Sequence, residues 1–195
     1  MYSLSWSNSF AKLPEDFYSR IKPTPFKSAA ELIHFNESAA QLVGLSPEAI
    51  EKQALLDMLS GRHLPEGADP LAMLYAGHQF GHYVPQLGDG RAIMLGEVSH
   101  DTHGKWELQL KGSGLTPYSR DGDGRAVLRS TVREYLCAEA MHGLGIPTTR
   151  ALAMVGSDDE VYRESIETGA ILTRMAPSHV RFGSFEVFFY RNQFD

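Results

Sequence analysis

The stretch from Trp106 to Leu144, WELQLKGSGLTPYSRDGDGRAVLRSTVREYLCAEAMHGL, decides the fold. It reads as a strand carrying one lysine, a glycine-rich polar loop, and an amphipathic helix. On the strand, Trp106, Leu108 and Leu110 alternate with Glu107, Gln109 and Lys111, so a period of two puts Lys111 on the polar face. On the helix, Leu128, Val132, Tyr135, Leu136, Ala140 and Leu144 follow a 3.6-residue spacing and predict one buried stripe. Glu134 lies beside that stripe, where a helix meets its sheet. Taken alone, a strand lysine and a helical glutamate are ordinary surface charges.

The loop between them adds weight. Lys111-Gly112-Ser113-Gly114 and Asp121-Gly122-Asp123-Gly124 set four glycines among polar residues, with Arg120 and Arg125 close by. Glycine lets backbone N–H groups approach an anion, and a following helix N-terminus favours negative charge. Neither cluster is a Walker A loop, which needs its lysine after the second glycine with Ser or Thr next. Nor is Asp121–Gly124 a calcium loop, whose ligands run on to position 12. A strand lysine answered by a glutamate on the next helix is how kinase-like folds position a phosphate-binding ammonium.

The 195 residues are enough for one domain with a proper core, and 43% hydrophobic with 22% charged residues is an ordinary soluble composition. No run approaches the roughly 18 apolar residues of a membrane span. The N-terminal segment lacks an apolar core and carries acids early, against a secretory signal. The single cysteine, Cys137, fits a reducing, cytoplasmic setting. A net charge of −6 argues against coating a nucleic acid, so any basic site is local and suits a small anion.

Working outward, residues 1–27 form a lead-in broken by Pro14, Pro23 and Pro25 and anchored by aromatics. Helical spacing predicts a helix over 28–43 stopped by Gly44, and Ser46-Pro47-Glu48 opens a second that runs to Leu59. A short helix is expected through Leu71, Leu74 and Tyr75. His78 and His82 stand at i and i+4, but Gly81 and the want of a third ligand disfavour a metal, and the histidines are expected to satisfy backbone groups. Leu87-Gly88-Asp89-Gly90-Arg91 is both a hairpin-turn signal and a candidate glycine turn over phosphates. Beyond the helix, strands are expected over 150–156, 161–167 and 169–175, with a turn at Ser157–Glu160. Arg174 and Arg181 are surface arginines or a phosphate clamp, since guanidinium forks match phosphoryl oxygens. Residues 182–195 hold six of the twenty aromatics, and helical spacing predicts a helix there with Ser184 as N-cap.

The fold class expected is α+β: a kinase-like N-terminal lobe with an antiparallel sheet of about five strands, one αC-like helix on one face, and a helical extension before it. The division is an N-terminal extension and helical region over 1–80, a kinase-like nucleotide-binding lobe over 81–181, and over 182–195 the start of the connection to a C-terminal catalytic lobe.

The chain resembles the SelO family, also called selenoprotein O or YdiU-like proteins. The motifs that carry this are Gln86–Arg91, Gln109–Arg120, Asp123–Ser130, Arg133–Leu136 and Ser178–Glu186. The resemblance covers essentially the whole chain. It implies a kinase-like fold that binds ATP in reversed orientation and transfers AMP to protein hydroxyls. It implies that Lys111 is the strand lysine and Glu134 its partner, and that Gly88, Gly90, Arg91, Asp123 and Gly124 contact nucleotide. Arg174 and Arg181 are implied to hold the terminal phosphate. The cofactors implied are ATP with Mg2+, or Mn2+, and the partners are protein substrates with Ser, Thr or Tyr hydroxyls. Family members are much longer, so the chain reads as an N-terminal piece, inactive alone, whose catalytic aspartate and metal ligands lie beyond residue 195. A non-catalytic nucleotide sensor, or an interaction module, remains the alternative.

Overall fold

The computed structural model describes residues 4–46, 48 and 50–194. In chain order, β1 (Trp6–Ser7), β2 (Tyr18–Arg20) and β3 (Ala30–Phe35) precede α1 (Glu37–Gln41) and α2 (Lys52–Leu59). Next come β4 (Leu71–Met73), a hairpin of β5 (Gly77–Gln79) and β6 (His82–Val84), and the long β7 (Ala92–His100) and β8 (Gly104–Lys111). β9 (Ala126–Val127) leads into α3 (Leu128–Gly143), followed by β10 (Arg150–Tyr162), β11 (Ile166–Ala176) and α4 (Phe182–Phe189).

The architecture is α+β, built on one antiparallel sheet of nine strands rather than about five. Its order is β2-β4-β7-β8-β11-β10-β3, with β1 added to β7 and β9 to β11. The additional strands are short or at the edges, where period-two patterning has too few residues to show. β4 is buried on both faces, so its apolar run imitates a helix turn where a short helix was expected. β3 replaces most of the helix expected over 28–43; it is an edge strand on β10, and Leu32 and Ile33 point to solvent. Only the five-residue α1 is helical there, and the Asn36 side chain caps it by accepting from the N–H of Ala39. The described part of residues 1–80 is thus not wholly helical but a mixture of five short strands, two α-helices and two 3-10 turns.

The second helix ends at Leu59 as expected, followed by Gly61 at φ +72°. It begins only at Lys52, however; Pro47 lies outside the described residues, and Ser46 donates to Glu48 instead of capping. The turn expected at Ser157–Glu160 is a bulge within β10, and the chain reverses at 163–165, where Arg163 N–H donates to the Ser165 carbonyl.

Helices cover both faces of the sheet, not one. On the first face α1, α2 and Leu45 pack on Leu95, Val98, Leu108, Leu110, Leu152, Val155, Ile171 and Met175, the main apolar core. On the second face α3 packs through Tyr135 on Ala151, Met154 and Leu172, with Val132 and Ala138 beside it. The helix is rotated from the expected stripe: Thr131 and Tyr135 are its buried residues, while Leu136 and Leu144 are 60% and 74% exposed. That rotation points Glu134 inward, towards β8. No helix among the described residues is long and apolar enough to cross a membrane.

Candidate functional site

The second face of β8 is where sequence and structure part most usefully. Alternation puts Glu107, Gln109 and Lys111 on one face, and that face is interior: Glu107 and Gln109 are buried and Lys111 half-buried. Each polar side chain has a specific partner, as burial demands. Lys111 Nζ lies 2.5 Å from Glu134 Oε2, and the other oxygen of that carboxylate accepts from Arg174 Nη1 at 2.9 Å. Arg174 also donates through Nη2 to Gln109 Oε1. Gln109 in turn donates through Nε2 to Asp89 at 3.1 Å, and Glu107 Oε2 lies 2.8 Å from His179 Nδ1.

The electrostatics follow from this crowding. Burial lowers the Lys111 pKa and the neighbouring Arg174 lowers it further, against the opposing pull of Glu134. Burial tends to raise the Glu134 pKa, but Arg174 and Lys111 outweigh it and hold the carboxyl below the ordinary glutamate value. Asp89 is raised by burial despite Arg181 and Arg174. Tyr75 is pushed up to about 12, by burial first and by Asp89 second.

A cleft of about 490 Å³ opens beside this network. All eight residues expected to contact nucleotide line it: Gly88, Gly90, Arg91, Lys111, Asp123, Gly124, Arg174 and Arg181. Seven cationic side chains and two carboxylates face it, so an acidic chain concentrates positive charge at one place. Arg174 Nε is buried there without a hydrogen-bond partner among the described residues, and the Arg181 guanidinium stacks over Tyr75 at 4.8 Å. These features fit a polyphosphate.

The glycines act differently from the expectation that they cradle an anion. The N–H groups of Leu87 and Gly88 both donate to the Tyr75 carbonyl, and those of Asp89 and Gly90 to Met73 and Gly88. Gly112 and Gly114 N–H groups likewise donate to Arg91 and Gly124. What requires glycine is close packing. At Gly88, φ is +61° and a Cβ would meet the Tyr118 ring at 2.5 Å; at Gly124, φ is +71° and a Cβ would meet Gly114 at 2.1 Å. With these N–H groups engaged, side chains are the main groups left to meet an anion in the cleft.

Asp123 is engaged by Arg163, at 2.7 Å, and accepts from Arg125 N–H. Arg163 lines the same cleft, and nothing in its local sequence marks it, since its partner is 40 residues away. Arg125 is diverted from the loop to carbonyls of Thr24 and Pro25, fastening the lead-in. Glu107 and His179 were also missed, although a polar face on a central strand is itself a signal.

No group of three His, Cys, Asp or Glu suited to a metal occurs among the described residues. His78 and His82 sit on the two arms of the β5–β6 hairpin, not on a helix, and both are exposed. The cationic lining of the cleft fits phosphates.

Comparison with known proteins agrees with this chemistry. A family model described as "Protein adenylyltransferase SelO" matches residues 1–195. The chain is 60% identical over 191 residues to "Protein nucleotidyltransferase YdiU" of Thiobacillus denitrificans, covering 98% of this chain and 39% of that protein. It is 57% identical over 190 residues to the protein of the same name from Myxococcus xanthus, and 60% over 193 residues to that from Bordetella parapertussis, again covering 39% of each. The chain thus spans about two-fifths of the length of the curated relatives it matches. It belongs to the protein adenylyltransferase SelO family.

Proposed function

We propose that this chain is the nucleotide-gripping, kinase-like lobe of a protein adenylyltransferase that moves AMP from ATP to Ser, Thr or Tyr hydroxyls of other proteins. The observation that carries the reading is the Lys111–Glu134–Arg174 cluster at the cleft wall, on strand, helix and neighbouring strand. Glu134 keeps two cations side by side that would otherwise repel, and so pre-organises them for an anion. With Arg91 and Arg181 they form a set of cations for the β- and γ-phosphates. Gripping that end turns the α-phosphorus outward, where an acceptor oxygen attacks it and pyrophosphate leaves. A divalent metal would neutralise charge on the triphosphate, and its ligands lie outside the cleft described. Positioning and electrostatics do most of the work in such a transfer.

The test uses full-length protein with ATP labelled at the α- or the γ-phosphate. Label from the α position, and an AMP mass added to protein, are the expected outcome; γ label would make the protein a kinase, and no label from either a nucleotide sensor. Lys111→Ala is expected to lower transfer by at least about 100-fold with the fold intact. Undiminished transfer by that variant would remove the assignment. Residues 1–195 alone are expected to bind ATP weakly, by calorimetric titration, and to transfer nothing.

A further inference from the structure

We propose that Glu107 is the positioning residue for Arg181. This rests on reading Arg181 as a phosphate-binding arm. Glu107 is 4% exposed on a central strand, and among the described residues it has no Lys or Arg partner. A buried carboxylate is costly unless well satisfied. Its Oε2 accepts twice from one residue, from the backbone N–H of His179 at 2.6 Å and from its Nδ1 at 2.8 Å. His179 is itself 5% exposed, and its Nε2 is buried with no partner among the described residues. A side chain needed only to fill space would not incur that penalty.

The link fixes the short segment between β11 and α4. Pro177 restricts its start, and Glu107 clamps it at His179. At the far side Gly183 is seated on Ala76, whose N–H donates to the Gly183 carbonyl at 2.9 Å. Arg181 sits between the two anchors, its guanidinium over Tyr75. Glu107 also shares a strand face with Gln109, which orients Arg174, and with Lys111. Residues two apart on a strand stand roughly 6.8 Å apart, so β8 acts as a rigid ruler for three cationic arms.

The experiment measures ATP and adenosine affinity of the full-length protein by calorimetry. Arg181→Ala is expected to weaken ATP about tenfold. Glu107→Ala is expected to weaken ATP about fivefold and adenosine not at all, and Glu107→Gln, which keeps an acceptor oxygen, to recover most of the loss. The double variant Glu107→Ala/Arg181→Ala is expected to match Arg181→Ala alone, because both act through one arm. Should Glu107→Ala not fold, His179→Ala, which removes only the ring contact, is expected to show a loss of about two- to threefold and replaces it in the cycle. Additive losses, or unchanged ATP affinity in the Glu107 or His179 variant while Arg181→Ala is impaired, overturn the positioning role alone. Normal ATP binding by Arg181→Ala overturns the reading of Arg181, and this proposal with it.

Discussion

Glu134 answers Lys111 with one oxygen and Arg174 with the other, so its removal leaves two half-buried cations facing each other. Glu134→Gln keeps the shape and removes the charge. It is expected to lower AMP transfer by the full-length protein about 10- to 100-fold, mostly as a raised KM for ATP, since the cations lose their alignment. A KM equal to that of wild type would show that Glu134 does not align them. Gly124 is a different kind of requirement. Its φ of +71° and the 2.1 Å approach to Gly114 leave no room for a side chain. Gly124→Ala is expected to lower stability by about 2 kcal/mol or more in urea unfolding, and to weaken ATP binding by shifting the loop that carries Asp123.

At the scale of elements, α3 is fastened to the sheet by Glu139 as well as by the apolar packing around Tyr135. Glu139 accepts from Arg150 Nε and Nη2, from the N–H of Ala151 at 2.8 Å, and from Asn36 Nδ2 at 2.8 Å. Arg150 is buried, so Glu139→Ala leaves an unpaired interior charge and is expected to cost about 3 kcal/mol in urea unfolding. The Arg129–Glu167 pair has similar geometry but lies at the surface, and Arg129→Ala is expected to cost under about 1 kcal/mol. Equal losses would mean that Glu139 is no anchor. The capping of α4 shows the same dependence on context: the helix begins at Phe182, so Ser184 lies inside it and its Oγ reaches back to accept the Arg181 N–H.

For the whole molecule, acid and surface behaviour follow from charge and exposure. Burial tends to raise Glu139, but Arg150, Ala151 N–H and Asn36 hold it below its ordinary value of 4.5, and Glu134 is depressed in the same way. A depressed carboxylate stabilises the fold above its unfolded pKa, and that stability is lost as pH falls through the folded one. Thermal stability is therefore expected to drop as pH falls below about 4.5. Asp89 has the opposite sign: burial raises it, so its contribution is present at low pH and lost as pH rises through its folded value. Asp89→Asn is accordingly expected to raise the melting temperature at pH 7, a gain that vanishes below the ordinary aspartate value of 3.8. As for the surface, α4 folds one face back, with Val187 buried and the Phe188 ring tilted against that of Phe17, centroids 4.2 Å apart. Its other face leaves Phe182, Phe185 and Phe189 exposed. A face this apolar is expected to drive self-association of residues 1–195, and the test is Phe185→Asp with Phe189→Asp. Light scattering is expected to show association for residues 1–195 and a monomer for the double variant; two monomers would refute it.

Local chemistry in the sequence was enough to determine the lysine strand, the loop, the helix bearing Glu134, the stop after Leu59 and the glycine closure after α3. Each depends on neighbours within one or two turns of chain. The eight residues proposed to contact nucleotide were singled out by motif and by family resemblance, and the structure lines one cleft with them. Only the tertiary structure decided that the polar face of β8 is interior, because alternation reveals two faces and not what covers each. It alone made β3 a strand, since the partner that satisfies its backbone is β10, more than a hundred residues on. It alone joined Glu107 to His179, 72 residues away, and Asp123 to Arg163. Such pairings arise when folding brings distant groups out of water together, where each must find a partner or leave a buried charge unpaired.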